Sequence, residues 1–146
     1  MKQNVQDFIA GKRIAVMGVS RSGKKFGNAI FTELKKRGYQ AYIVHPEAQE
    51  IGGERCYPNL AALQGEVDGV VISVSTKQAG QAMREAAEAG VKNIWIQQGA
   101  ESPELLALAK ELDVKPVFGK CILMYAAPVG SFHAVHRWFA NLFGNV

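Results

Sequence analysis

The densest group of chemically useful residues is the stretch Gly18-Val19-Ser20-Arg21-Ser22-Gly23-Lys24-Lys25-Phe26-Gly27. It follows a short apolar run, Ile14-Ala15-Val16-Met17, and leads into apolar residues at helical spacing, Phe26, Ala29, Ile30 and Leu34. That order predicts a strand, a glycine-rich turn and a helix start. Glycine lets a backbone approach a ligand closely. The N–H groups and the dipole at a helix start favour an anion. Arg21, Lys24 and Lys25 add positive charge, and Arg13 is expected to flank the same turn. The stretch is expected to bind phosphate.

Two nucleotide patterns fit it poorly. A dinucleotide fingerprint needs G-x-G-x-x-G and an acid at the end of the second strand. Ser20 stands where the second glycine belongs, and the second strand ends Tyr42-Ile43-Val44-His45-Pro46, with Glu47 as the nearest acid, past the proline. A Walker A loop needs a hydroxyl after its lysine to ligate Mg²⁺; Lys25 occupies that position, and the run Val70 to Val74 ends in Ser75 and Thr76 rather than in an acid. An NAD(P)-binding redox protein is the alternative to a phosphate turn used in another way.

Other candidate chemistry is thin. No nucleophile elbow with a Ser-His-Asp series occurs, nor a paired-carboxylate motif, so no catalytic residue is assigned. His133 and His136 share a helix face, but zinc needs three or four ligands, with Cys121 the one further candidate nearby, so no metal site is expected. Cys121 itself reads more simply as a buried free thiol than as a reactive one.

The elements that must position these residues follow from periodicity and caps. The chain has 146 residues, 48% of them hydrophobic, which suits one domain over residues 1–146. Strands are expected at Arg13 to Met17, Gln40 to Val44, Val70 to Val74, Asn93 to Ile96 and Lys115 to Phe118. Helices are expected from a cap at Asn4 to a stop at Gly11, from Lys25 to Arg37, from Lys77 to Ala89 with Thr76 as N-cap, from Ser102-Pro103 to Leu112, and from Pro128 to Leu142. Pro46 and Gly52-Gly53 make a long irregular connection, Cys56 to Pro58 a short extended piece, and residues up to Leu63 a helical turn. Alternating strands and helices predict an α/β fold: one Rossmann-like, doubly wound parallel sheet of about five strands, helices on both faces, and an added C-terminal helix.

Charge and termini exclude other classes. The formal charge of +4 is modest, and no basic stripe interleaved with aromatics supports nucleic-acid binding. Lys35-Lys36-Arg37 read as a solvated helix end that suits the dipole. The first ten residues lack a signal peptide's apolar core. The longest uncharged apolar run, Cys121 to Val129, is far short of the roughly 20 residues a membrane span needs. Two cysteines make no disulfide framework, so a cytoplasmic setting is expected. Phe132, Val135, Phe139, Leu142 and Phe143 form an apolar stripe, expected to take part in a homodimer.

In a doubly wound sheet, ligands bind beyond the carboxyl ends of the strands. Four tips should therefore meet at one crevice: Gly18-Val19-Ser20, His45-Pro46, Ser75-Thr76 and Gln97-Gln98-Gly99. The same motifs carry a resemblance. Ile14 to Ser20, Lys24, Gly27, Gly38-Tyr39, Val44-His45-Pro46, Glu50 to Gly53, Cys56 to Leu60, Val67-Asp68 and Glu85 to Gly99 resemble the small CoA-binding Rossmann proteins, which are similar to the N-terminal domain of the succinyl-CoA synthetase alpha subunit. The resemblance covers residues 10 to 121. It departs at His45, where the family usually has Asn, and at Gly119-Lys120-Cys121, where it has Asp-Arg-Cys. It implies CoA or acyl-CoA as the ligand. Gly18, Val19, Ser20, Arg21, Lys24, Lys25, Phe26 and Gly27 would hold the phosphates, with Gly18, Ser20 and Lys24 on the pyrophosphate. Val44, His45 and Pro46 would flank the adenine and ribose, and Ser75, Thr76, Gln97 and Gly99 the thiol arm. It further implies that catalysis needs a phosphohistidine domain and a nucleotide-grasp partner that this chain has no room for. A binding module that is non-catalytic by itself, serving as a sensor, carrier or subunit, is expected.

Overall fold

A computed structural model describes residues 2–129. Helix α1 (Lys2–Ala10) precedes β1 (Arg13–Met17), α2 (Phe26–Lys36) and β2 (Gln40–Val44). Next come β3 (Glu50–Ile51), β4 (Glu54–Tyr57) and a 3₁₀ turn at Leu60–Leu63. Then follow β5 (Gly69–Ile72), α3 (Thr76–Glu88), β6 (Asn93–Gln97), α4 (Pro103–Glu111), β7 (Val117–Lys120) and a 3₁₀ turn at Ile122–Met124. The seven strands form one sheet in the order β3-β4-β2-β1-β5-β6-β7. All pairs are parallel except the β3–β4 hairpin.

The central strands are apolar on both sides because both faces are covered. One face packs Val5 and Phe8 of α1 and Ile30, Phe31 and Leu34 of α2 against Val16, Val71 and Trp95. The other packs Ala79, Met83 and Ala86 of α3 and Leu105 and Ala109 of α4 against Ala15, Val70, Ile72 and Ile94. This is the expected doubly wound α/β architecture.

Several expected details differ. The sheet has seven strands rather than about five, because Gly52 (φ 57) and Gly53 (φ 82) form a two-residue hairpin turn instead of an irregular connection. The third main strand stops at Ile72 rather than Val74, and the fourth runs on to Gln97. The last strand starts after Pro116, which has no N–H to give to the ladder, and its register against β6 slips between Trp95 and Gln97. Ser75, not Thr76, is the N-cap of α3. The helix expected from Pro128 has not begun at Pro128 or Val129, and its remainder, with the apolar stripe, His133, His136 and the homodimer assigned to it, lies outside the described residues.

Two basic residues change roles. Arg13 begins β1, so it stands at the opposite strand end from the glycine turn. It pairs there with Asp68 at 2.8 Å, and Asp68 also accepts from the N–H groups of Lys12 and Arg13. The hydrogen bonds from Arg13 hold the Asp68 carboxyl below its usual range. Arg37 is no solvated helix end. Its guanidinium donates to the carbonyl of Leu123 at 2.8 Å and of Ala126 at 2.9 Å, and to Glu33 at 3.0 Å. It ties the end of α2 to the segment after β7. Lys35 pairs with Glu54 across the β3–β4 hairpin.

Candidate functional site

Strand order reverses between β1 and β5: the chain leaves β1 for β2 on one side and later returns to β5 on the other. At such a switch point the loops part and leave a crevice at the carboxyl ends. The loop after β1 is pinned there by sterics. Gly18 has φ 110, and a Cβ on it would sit 1.9 Å from the Ser73 carbonyl oxygen beyond β5. A Cβ on Gly27 would sit 2.3 Å from the Gly18 carbonyl oxygen. The turn thus lies backbone to backbone between β5 and the first turn of α2, and its two outer glycines are required by packing.

Asn28 shapes the turn from inside, a role that the sequence reading missed. Its Oδ1 accepts from the Ser20 N–H at 2.9 Å and from the Ser20 hydroxyl at 3.1 Å. Its Nδ2 donates to the Ser20 carbonyl at 2.9 Å. The spacing of eight residues between a turn serine and a helix asparagine was the available signal. Ser22 adds an Oγ–Oγ hydrogen bond to Ser20 at 2.9 Å and accepts from the Lys24 N–H at 3.3 Å. Replacing Asn28 with Ala removes three hydrogen bonds to one residue and leaves the half-buried Ser20 groups to water. Expected is a loss of about 1–3 kcal/mol in urea unfolding; unchanged unfolding would show that the turn holds without Asn28.

The helix starts around the crevice differ. Ser102 caps α4 by accepting from the Leu105 N–H at 3.1 Å. The N-caps of α2 and α3, Lys25 and Ser75, make no side-chain cap hydrogen bond, and Ser75 bonds Gln78 instead at 3.4 Å. The first N–H groups of α2 therefore receive no side-chain cap among the described residues, while the dipole places partial positive charge there. Lys24 and Lys25 are exposed and make no ion pair among the described residues. Phe26, the first residue of α2, is 51% exposed, so an apolar ring stands beside this basic ground.

At the tip of β2, the His45 side chain holds the loop that follows it. Its Nδ1 accepts from the N–H groups of Glu47 at 3.1 Å and Ala48 at 2.9 Å, as an asparagine oxygen does in an Asx turn. The His45 N–H donates to the Tyr57 carbonyl at 2.8 Å. Val44 is buried and Pro46 exposed. Arg21 reaches from the glycine turn to Glu47 at 3.3 Å, which joins the first two tips directly.

The remaining tips share the edge but not all of their side chains face it as expected. Ser75 and Thr76 are exposed. Gln97 is 4% exposed, and its Oε1 accepts from the Ile122 N–H at 3.0 Å, so this oxygen holds the segment after β7. Gly99 has φ 99 and donates its N–H to Glu101 at 2.9 Å. Cys121, between β7 and the last 3₁₀ turn, is half-buried; Cys56 is buried, which pushes its thiol up. A cavity of about 240 Å³ lies between α2 and the β3–β4 hairpin, reaching Val19 and Asn28 of the site. Another of about 340 Å³, lined by Gln6, Ile9, Lys12 and Tyr39, opens among the N-terminal strand ends, away from the tips. Among the described residues no group of three or more His, Cys, Asp or Glu could hold a metal, and no helix is long and apolar enough to cross a membrane.

Residues 12–127 match the family described as CoA binding domain. The chain belongs to that family. As a CoA-binding-domain protein it is 32% identical over 128 residues to the ADP-forming acetate–CoA ligase II of Archaeoglobus fulgidus, covering 80% of this chain and 19% of the ligase. It is 30% identical to the alpha subunit of the corresponding Pyrococcus furiosus enzyme, covering 79% of this chain and 28% of the subunit. The chain thus spans less than a third of either relative. Among solved structures, a conserved hypothetical protein from Pyrococcus furiosus superposes with a TM-score of 0.72 at 38% identity, over 77% of this chain and 97% of that one.

Proposed function

We propose that the protein binds CoA or an acyl-CoA across the carboxyl edge of its sheet and is non-catalytic by itself, serving as a sensor, carrier or subunit. The observation that carries this reading is the α2 start without a side-chain cap: a glycine turn held open by packing, with two exposed lysines beside it that make no ion pair among the described residues. A pyrophosphate fits that ground, taking N–H groups of the turn and the charge of Lys24 and Lys25. Val44, His45 and Pro46 take the adenine and ribose, and the thiol arm passes Ser75 and Thr76. The buried Gln97 supports that end of the crevice. The surrounding chemistry favours CoA over NAD. The nearest acid after β2, Glu47, lies past Pro46 and faces Arg21, whereas a dinucleotide site wants an acid at the strand's own tip.

Titration calorimetry of the ligand-free protein with CoA, NAD and NADP tests the reading. CoA should bind and the dinucleotides should not; NAD binding without CoA binding would overturn it. Replacing Lys24 with Ala should weaken CoA binding by about 1–3 kcal/mol, the scale of a charge-assisted hydrogen bond, with little change in melting because the side chain is exposed. CoA binding unchanged in this variant would assign the phosphate to Lys25 instead. Pairing of two copies is part of the proposal: sedimentation of the wild type should give the dimer mass, and a monomer mass at high concentration would remove it.

A further inference from the structure

We propose that Arg21 reads the 3′-phosphate of the CoA ribose and so separates CoA from dephospho-CoA. The inference rests on the CoA reading above. Arg21 belongs to the glycine turn, yet its guanidinium lies over the loop that ends β2, where Nη2 meets Glu47 Oε2 at 3.3 Å. That loop is itself fixed, because the Glu47 and Ala48 N–H groups are held on His45 Nδ1. The guanidinium is therefore stationed at the ribose end of the crevice, while Lys24 and Lys25 stand at the start of α2.

The charges at this end make sense together. A lone Glu47 would repel a phosphate there. Paired with Arg21 it contributes no net charge, and it holds the cation in reach. Both side chains are largely exposed, 65% and 72%, and exposed ion pairs of this kind are weak. A phosphate dianion can therefore share the guanidinium with the carboxylate at small cost. Arginine has five N–H donors in a planar fork, and one of them meets Glu47. The others can bind a phosphate in bidentate fashion.

Calorimetry with CoA and dephospho-CoA, on wild type and on Arg21→Gln, decides it. Wild type should bind CoA about tenfold or more tighter than dephospho-CoA, the scale of one charge-assisted contact. Arg21→Gln should lose about that factor for CoA and change dephospho-CoA binding by less than about twofold, so that the preference disappears. The preserved dephospho-CoA affinity also shows that the variant is folded. Equal loss for both ligands would move Arg21 to the pyrophosphate and overturn the inference. So would CoA and dephospho-CoA binding wild type alike, which leaves the CoA reading intact. No CoA binding by wild type overturns both readings.

Discussion

Gly18→Ala should unfold at markedly lower urea than the wild type and lose CoA affinity with its native turn. Two costs add. Alanine at φ 110 leaves the regions that side chains favour, at about 1–3 kcal/mol. Its Cβ would also lie 1.9 Å from the Ser73 carbonyl oxygen, a backbone atom that cannot swing away. Either the turn after β1 or the end of β5 must move, at the point where both define the crevice. The sum is about 4 kcal/mol or more, out of the 5–15 that a domain of this kind has. Gly23→Ala is the control. Its φ is 76, but nothing lies within 4 Å of the added carbon, so it should cost about 1–2 kcal/mol. Equal midpoints for the two variants would show that the turn is not pinned against β5.

Trp95→Ala should be the most damaging change away from the turn. The indole is completely buried. It packs against Phe8 of α1 with ring centroids 5.3 Å apart and against Tyr125 at 5.8 Å. It also donates from Nε1 to the Lys120 carbonyl at 3.0 Å. One side chain thus joins the first helix, β6 and the segment after β7 that Gln97 also holds. Truncation leaves a cavity and should cost about 3–5 kcal/mol, read as a lowered denaturation midpoint. Trp95→Phe keeps most of the packing and leaves the Lys120 carbonyl without its indole donor, at about 1 kcal/mol. A Phe variant as unstable as the Ala variant would mean that the hydrogen bond, not the packing, carries the effect.

Periodicity, caps and punctuation were enough to read the architecture. The apolar run of β5 read as a strand covered on both faces, and the alternation of strands with helices pointed to parallel pairing. Gly38, at φ 97, and Ser102-Pro103 marked helix ends because only those residue types satisfy the geometry there. The glycine turn was legible because its chemistry is local: a strand, a run of small residues and cations, and a helix start within fourteen positions.

What the tertiary structure decided depends on contacts between residues distant in sequence. No local signal tells Arg21 from Lys24, yet one is paired with an acid from the next loop and the other makes no ion pair among the described residues. Arg13 read as charge beside the phosphate turn and Arg37 as a solvated helix end. Partners 55 positions away in one case and 86 to 89 in the other made them structural. Gln97 looked like a crevice residue because it ends a strand. The pleat and the slip in register against β7 buried it and spent its oxygen on Ile122. Gly18 and Gly27 were read as room for a ligand. Only the approach of Ser73, just past β5, to Gly18, and of Gly18 to Gly27, shows that they are first of all room for the protein's own backbone.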